Sequence, residues 1–274
     1  PTGRAIGALA EATDRPPELR GELAGVEERL WGVDDPAVIA AVAGALVDQP
    51  VFIADGHHRY TTALNYRNEL AEREGIGPEH EANFVMFALV EAGDPGLVIL
   101  PTHRMLSGLA DGFTVEALAQ GAPEFEWRRA PVDNGALTDA DAFLKPFGEG
   151  AMALVDADAR EMWIGRLIRP EAMAQAAPDQ CAAWRGLDVA VLHTLLLDKA
   201  MAPWRAEATA VSYTAEAPAA IEALRSGNAD LAVLLQGTPL AAVEAIARAG
   251  ASMPHKSTYF YPKIATGMVA KPLE

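Results

Sequence analysis

Between residues 114 and 248, short apolar runs of strand length alternate with stretches whose apolar side chains recur at helical spacing. This alternation constrains the fold more than any other feature. Helices are predicted near 114–120 and 139–147, and strands near 124–129, 152–156 and 161–167. A short helix is predicted over 170–177. A stronger one follows over 188–201, where Val189, Leu192, Leu195 and Leu196 supply the apolar face. His193 lies within that helix and reads as a hydrogen-bonded core or interface histidine. The last part runs strand 210–213, helix 217–225, strand 231–235 and helix 239–248. Such a rhythm implies helices layered on a sheet, an α/β fold with a mixed sheet.

Upstream the pattern is less regular. Leu23, Val26 and Leu30 give the stretch up to Trp31 a weak helical period. Asp34-Asp35-Pro36 starts a helix, with Asp as N-cap and Pro in the first turn, and Val38, Ile39, Val42 and Leu46 form its apolar stripe. Residues 50–54 read as a buried strand that breaks at Asp55-Gly56. Tyr60, Ala63, Leu64, Arg67, Leu70 and Ala71 then return to helical spacing. The apolar run 83–91 reads as a central strand buried on both faces. Gly93-Asp94-Pro95-Gly96 would turn it into a hairpin with 97–100, which ends in Pro101-Thr102-His103-Arg104. His80, between Glu79 and Glu81, reads as solvated.

The densest polar chemistry falls where the strand, turn and helix meet. A helix start offers unpaired backbone N–H groups and a partial positive charge, and His57, His58 and Arg59 add donors there. The natural guest is an anion, phosphate foremost. Gly56 lets the backbone approach it, and Asp55 can orient an imidazole or take a proton. His103 and Arg104, just past a predicted strand, are expected to line the same pocket. A further anion-friendly cluster, His255, Lys256, Ser257 and Thr258, lies in the loop before Tyr259 to Lys263.

The totals limit the partners. With 22 Lys plus Arg against 38 Asp plus Glu the net charge is −16, which opposes nucleic acid and anionic membrane surfaces but leaves room for a small phosphorylated ligand. No run approaches the roughly 18 apolar residues of a membrane span. Cys181 is the single cysteine, so no intrachain disulfide forms, in keeping with a cytoplasmic location. The loops and elbows of P-loop, Rossmann and α/β-hydrolase proteins are absent, as is paired-cysteine metal spacing. Adjacent histidines on a regular helix do not readily face one ion, so no metal ligand set is assigned. The chain opens on Pro1, and an N-terminal portion is expected to be missing before it.

Three blocks, Ile-Ala-Asp-Gly-His-His-Arg-Tyr, Leu-Pro-Thr-His-Arg and Met-Pro-His-Lys-Ser-Thr-Tyr-Phe-Tyr-Pro-Lys, occur in order between residues 53 and 263. Together they resemble the family termed domain of unknown function 1015. The first block also resembles the Asp-Gly-His-His-Arg motif of the ParB/sulfiredoxin-like superfamily. That superfamily includes nucleotide-using enzymes and a free-serine kinase that takes its phosphate from ADP. The resemblance implies a ParB/sulfiredoxin-like core with an additional C-terminal α/β region, and a turn at Gly56 to Arg59 that binds nucleotide phosphates. Family members carry a further N-terminal region, and the kinase has a catalytic acid upstream of the turn for which no counterpart is identified here.

Three segments are therefore expected: a phosphate-turn core over 1–110, a mixed α/β scaffold over 111–180, and a C-terminal β-α-β-α region over 181–274 with the His-Lys-Ser-Thr loop. The expected function is a kinase-like phosphotransferase acting on a small amino or hydroxy acid, using ATP or ADP with Mg²⁺. Asp55 and His57 would be catalytic. Gly56, His58, Arg59, His103, Arg104, His255, Lys256, Ser257 and Thr258 would bind phosphate. A nucleotide-sensing module without turnover and a metal-dependent hydrolase are the alternatives. The three blocks are expected to meet in space.

Overall fold

The computed structural model describes residues 3–23, 25–132, 138–157, 160–265 and 267–272. Pro1, on which the expectation of a missing N-terminal portion rests, lies outside them. The chain divides into two compact units, one of Pro1–Val98 with Pro262–Glu274, the other of Ile99–Tyr261. This division differs from the three consecutive segments read from the sequence, because the last residues rejoin the first unit.

In the first unit the elements are α1 (Gly3–Thr13), β1 (Leu19–Leu23), β2 (Val26–Leu30), α2 (Pro36–Leu46) and α3 (His57–Glu74). α2 starts as read, with the Asp35 carboxylate accepting the Ala37 N–H at 2.8 Å. The weak helical period before Trp31 is overturned: β1 and β2 pair antiparallel, with Leu23 opposite Val26. Exposure alternates along β2, and Gly25 supplies the left-handed residue of the turn with φ +80°.

Two predicted strands of this unit are also overturned. Residues 51–54 form no strand, with Phe52 and Ile53 half-buried and their neighbours exposed. Residues 84–90 likewise pair with nothing as a strand, and Phe84, Val85, Met86, Phe87, Leu89 and Val90 are each 40–53% exposed. The cause is the absence of a layer to receive them. Among the described residues, the hydrophobic side chains this unit buries are Ala5 and Leu70, and β1–β2 is its sheet. An apolar run becomes a strand only where an edge and a core await it.

The second unit is built on a six-stranded antiparallel sheet. Its elements are β3 (Val98–Leu100), β4 (His103–Leu109), α4 (Val115–Gln120), β5 (Phe125–Pro131), α5 (Ala140–Leu144), β6 (Met152–Asp156), β7 (Glu161–Leu167), α6 (Glu171–Ala176), α7 (Ala182–Arg185) and α8 (Asp188–Val191). There follow a π-helical stretch Leu192–Ala200, then β8 (Arg205–Thr214), α9 (Ala217–Arg225), β9 (Leu231–Leu234), α10 (Leu240–Arg248) and β10 (Tyr259–Tyr261). The sheet order is β5-β7-β6-β9-β4-β8, and β3 pairs with β10 rather than with 83–91.

Each central strand feeds two cores. Met152, Leu154, Leu231 and Val233 point to one, with Leu118, Leu192 and Leu196. Ala153, Val155, Ala232 and Leu234 point to the other, with Leu144, Ile221 and Leu224. This is the two-residue period of a strand covered by helices on both faces. The predicted elements from 114 to 248 are found here, and the helix over 188–201 becomes π-helical at Leu192 while keeping its apolar face buried.

Candidate functional site

The turn at Asp55 in the first unit is shaped by Gly56, whose φ of +84° is open to few other residues. Gly56 is the N-cap of α3 and offers no side chain, and the first helical bond runs from the Tyr60 N–H to the Gly56 carbonyl at 2.9 Å. The N–H groups of His57, His58 and Arg59 therefore have no helix carbonyl to bond. Asp55 bends to the turn: Oδ1 accepts the Gly56 N–H at 2.9 Å and Oδ2 accepts Lys263 Nζ at 3.1 Å. Arg59 stands 3.9 Å from the same oxygen. A Cβ on Gly56 would lie 2.9 Å from Arg59 Nη2, so the guanidinium lies folded over the glycine.

Partial burial alone would raise the Asp55 carboxyl, but Lys263, the Gly56 N–H and Arg59 outweigh it and hold it below the usual range. An ionised carboxylate thus stands beside a cluster of donors. His57, His58 and Arg59 are exposed, with the Arg59 side chain 73% so. Tyr60, next along the helix, stacks on Phe87 with ring centroids 6.3 Å apart. Asp55 is not the helix cap, and Lys263 is the partner that sequence reasoning did not assign. The signal for it was its place in a lysine-bearing loop, but pairing over such a separation is visible only in the fold.

The second block and the third as far as Tyr261 lie in the other unit and come together there, whereas Pro262 and Lys263, which end the third, belong to the first unit. Arg104 lies just past β3, as predicted, but it is fully buried at the start of a further strand, β4. It donates to the Thr102 carbonyl and, at 2.7 Å, to that of Lys256. Its guanidinium stands 5.5 Å from the Tyr213 ring, which meets His255 edge-on. Burial lowers Arg104 to about 10, against the pull of Asp188 and Tyr213. His103, also buried, accepts the Leu235 N–H on Nδ1 at 3.1 Å, and burial, helped by Arg104, lowers it to about 4.

In the loop, Ser257 is buried and donates to the Pro254 carbonyl, while its own carbonyl accepts from Thr238 Oγ1. His255 and Lys256 are exposed and Thr258 is half-buried; Lys256 takes a positive φ of 55°. His80 caps the 3₁₀ turn Glu81–Asn83, Nδ1 accepting the Ala82 N–H at 3.1 Å. Among the described residues, no group of three or more His, Cys, Asp or Glu is placed to hold a metal ion, and no helix is long and apolar enough to cross a membrane.

A family model described as protein of unknown function, DUF1015, matches residues 3–190. The chain belongs to this family. The match takes in the whole turn from Asp55 to Arg59 together with His103 and Arg104, whereas His255 to Thr258 lie beyond it. No curated protein matches this DUF1015 chain. Solved structures similar to it include a conserved hypothetical protein from Pyrococcus furiosus, at 14% identity, covering 94% of this chain and 82% of that one with a TM-score of 0.36. Another is a mutant free serine kinase in complex with AMP, at 13% identity, 93% and 77% coverage and a TM-score of 0.40. The free serine kinase in complex with AMP follows at 12%, 94% and 79%, and 0.38.

Proposed function

We propose that this DUF1015 protein binds the phosphates of a nucleotide at the turn from Asp55 to Arg59 and transfers a phosphoryl group to a small hydroxyl-bearing metabolite. The observation that carries the reading is the left-handed Gly56 heading an 18-residue helix, with the first N–H groups open and His57, His58 and Arg59 exposed around them. The Asp-Gly-His-His-Arg resemblance to nucleotide-using proteins agrees with it.

The turn's backbone, His58 and Arg59 would hold the phosphates. The acceptor hydroxyl oxygen attacks phosphorus, its proton passes to Asp55 or His57, and the bond to the departing nucleotide oxygen breaks. Little covalent chemistry falls to the protein, whose part is positioning and charge neutralisation. Lys263 orients Asp55 and helps hold its carboxyl below the usual range. A Mg²⁺ ion arriving with the nucleotide would screen phosphate charge, and Asp55 is the carboxylate of the turn that could touch it. For Arg104, whose two terminal nitrogens donate to backbone carbonyls, and His103, whose Nδ1 accepts a backbone N–H, we infer a positioning role towards the loop that carries His255 to Thr258.

Calorimetric titration with ADP and ATP tests the reading, with ³¹P NMR to follow transfer to serine and related hydroxy acids. Saturable binding that Arg59→Ala weakens by roughly tenfold or more is expected, since hydrogen bonds to charged groups are worth about 1.5–3 kcal/mol. Unchanged affinity in that variant would sink the site assignment. Binding without any transfer would favour a sensing module.

A further inference from the structure

The second unit holds a cavity of about 240 Å³ that the turn chemistry does not use. Its wall includes Glu149, Gly150, Leu187, Asp188, Gln236 and Pro239. Asp188 heads α8 and is only 8% exposed. Its Oδ1 accepts the Val189 N–H at 2.6 Å, but its buried Oδ2 has no hydrogen-bond partner. A carboxylate oxygen buried and unpaired is costly, and native proteins rarely leave one so without a reason.

The other polar groups of the wall are committed in a one-sided way. Gln236 spends its amide N–H groups on the carbonyls of Gly148 and Ala151, and the Gly237 N–H goes to Asp141. Glu149 is exposed at the rim and makes no ion pair among the described residues. What faces the cavity is thus acceptor-rich and negative, with Leu187 and Pro239 supplying apolar surface. Arg104 pulls on Asp188 through space, yet no ion pair between them closes. Burial, helped by Asp141, outweighs that pull and the backbone N–H groups of Val189 and Gln236, raising the carboxyl to about 6, so it is ionised above neutral pH.

We propose that this cavity is a binding site for a small primary amine, whose ammonium donates to Asp188 Oδ2 and is drawn in by Glu149 while its carbon chain lies on Leu187 and Pro239. The volume suits only a few non-hydrogen atoms, since pockets for drug-sized ligands run to roughly 300–1,000 Å³. The site is independent of the nucleotide reading, for every residue it uses belongs to the second unit and none to the Asp55 turn.

The test is n-butylammonium chloride titrated at pH 8 into the full chain, followed by calorimetry and thermal unfolding. 1-Butanol and sodium chloride at equal ionic strength are the controls, the latter because a chain of net charge −16 attracts any cation. Saturable binding and a raised midpoint with the amine alone are expected. Glu149→Gln, an exposed change, should weaken binding by about two- to fivefold. Asp188→Asn should weaken it by roughly 30-fold or more. Equal responses to butanol or sodium, no saturation, or an unaffected Glu149→Gln variant would overturn the proposal; that last reading decides the matter even if Asp188→Asn does not fold.

Discussion

Lys263 closes on Asp55 from 208 positions away in the sequence, its Nζ 3.1 Å from Oδ2. The pair is 41% and 59% exposed, so its contribution to stability is small, about 1 kcal/mol or less. Lys263→Met should therefore leave the unfolding midpoint nearly unchanged while the Asp55 carboxyl, watched by ¹³C NMR, titrates at higher pH. The sign follows from the depressed folded value: what stability Asp55 adds is present above its unfolded pKa and lost as pH falls through the folded one. A carboxyl titration that does not move would show that Lys263 does not set its charge.

Gly56→Ala should cost about 1–2 kcal/mol, because the left-handed backbone at φ +84° penalises a Cβ; the Arg59 guanidinium, being a flexible end, can move aside. Gly56→Asn should cost less. Denaturant unfolding ranks the two, and equal losses would mean that space rather than φ sets the constraint.

His103 and Asp188 oppose each other with pH. His103, lowered to about 4 from 6.5, is neutral in the fold while the unfolded chain takes up a proton, so its part of stability rises as pH climbs from about 4 to 6.5. Asp188, raised to about 6 from 3.8, holds its proton longer when folded, so its part falls as pH climbs through the same span. The two should nearly cancel in the wild type. Asp188→Asn should uncover a rise in stability between pH 4 and 6.5, measured by urea unfolding at several pH values. A flat profile in that variant would contradict the His103 assignment.

Gly165 lies beneath the Trp127 ring, its β5–β7 register partner, and a Cβ there would stand 2.5 Å from Cζ3. Gly165→Ala should destabilise the second unit by about 1–3 kcal/mol, as overpacking does, and change the tryptophan emission. Wild-type stability with unaltered fluorescence would show that the ring yields freely.

The elements from residue 114 onward were legible because each carries its own periodicity and packs against neighbours that the rest of the second unit provides. The strands read at 50–54 and 83–91 had the same local signal and failed for want of a core: Phe84 and Phe87 are apolar enough for a central strand, yet each stays about half exposed, at 51% and 53%. The Asp55 turn was legible because Gly56, His57, His58 and Arg59 are adjacent. Lys263 as partner of Asp55, and the burial of Arg104 against the Lys256 carbonyl, were not, since both are long-range consequences of the fold. Asp188 gave no separate signal, a charged residue at the head of an apolar helix being an ordinary cap.

The strand order of the large sheet sets a timetable for the nascent chain. β5, β6 and β7 follow one another closely and can pair as soon as they emerge. β4 is made before them, yet its partners β8 and β9 come after them all. At roughly 5–20 residues per second, the intervening stretch of about a hundred residues keeps β4 waiting for roughly 5–20 s. Throughout that interval Leu106, buried in the finished fold, is uncovered beside the ribosome, and β4 is the segment a holding chaperone would meet first.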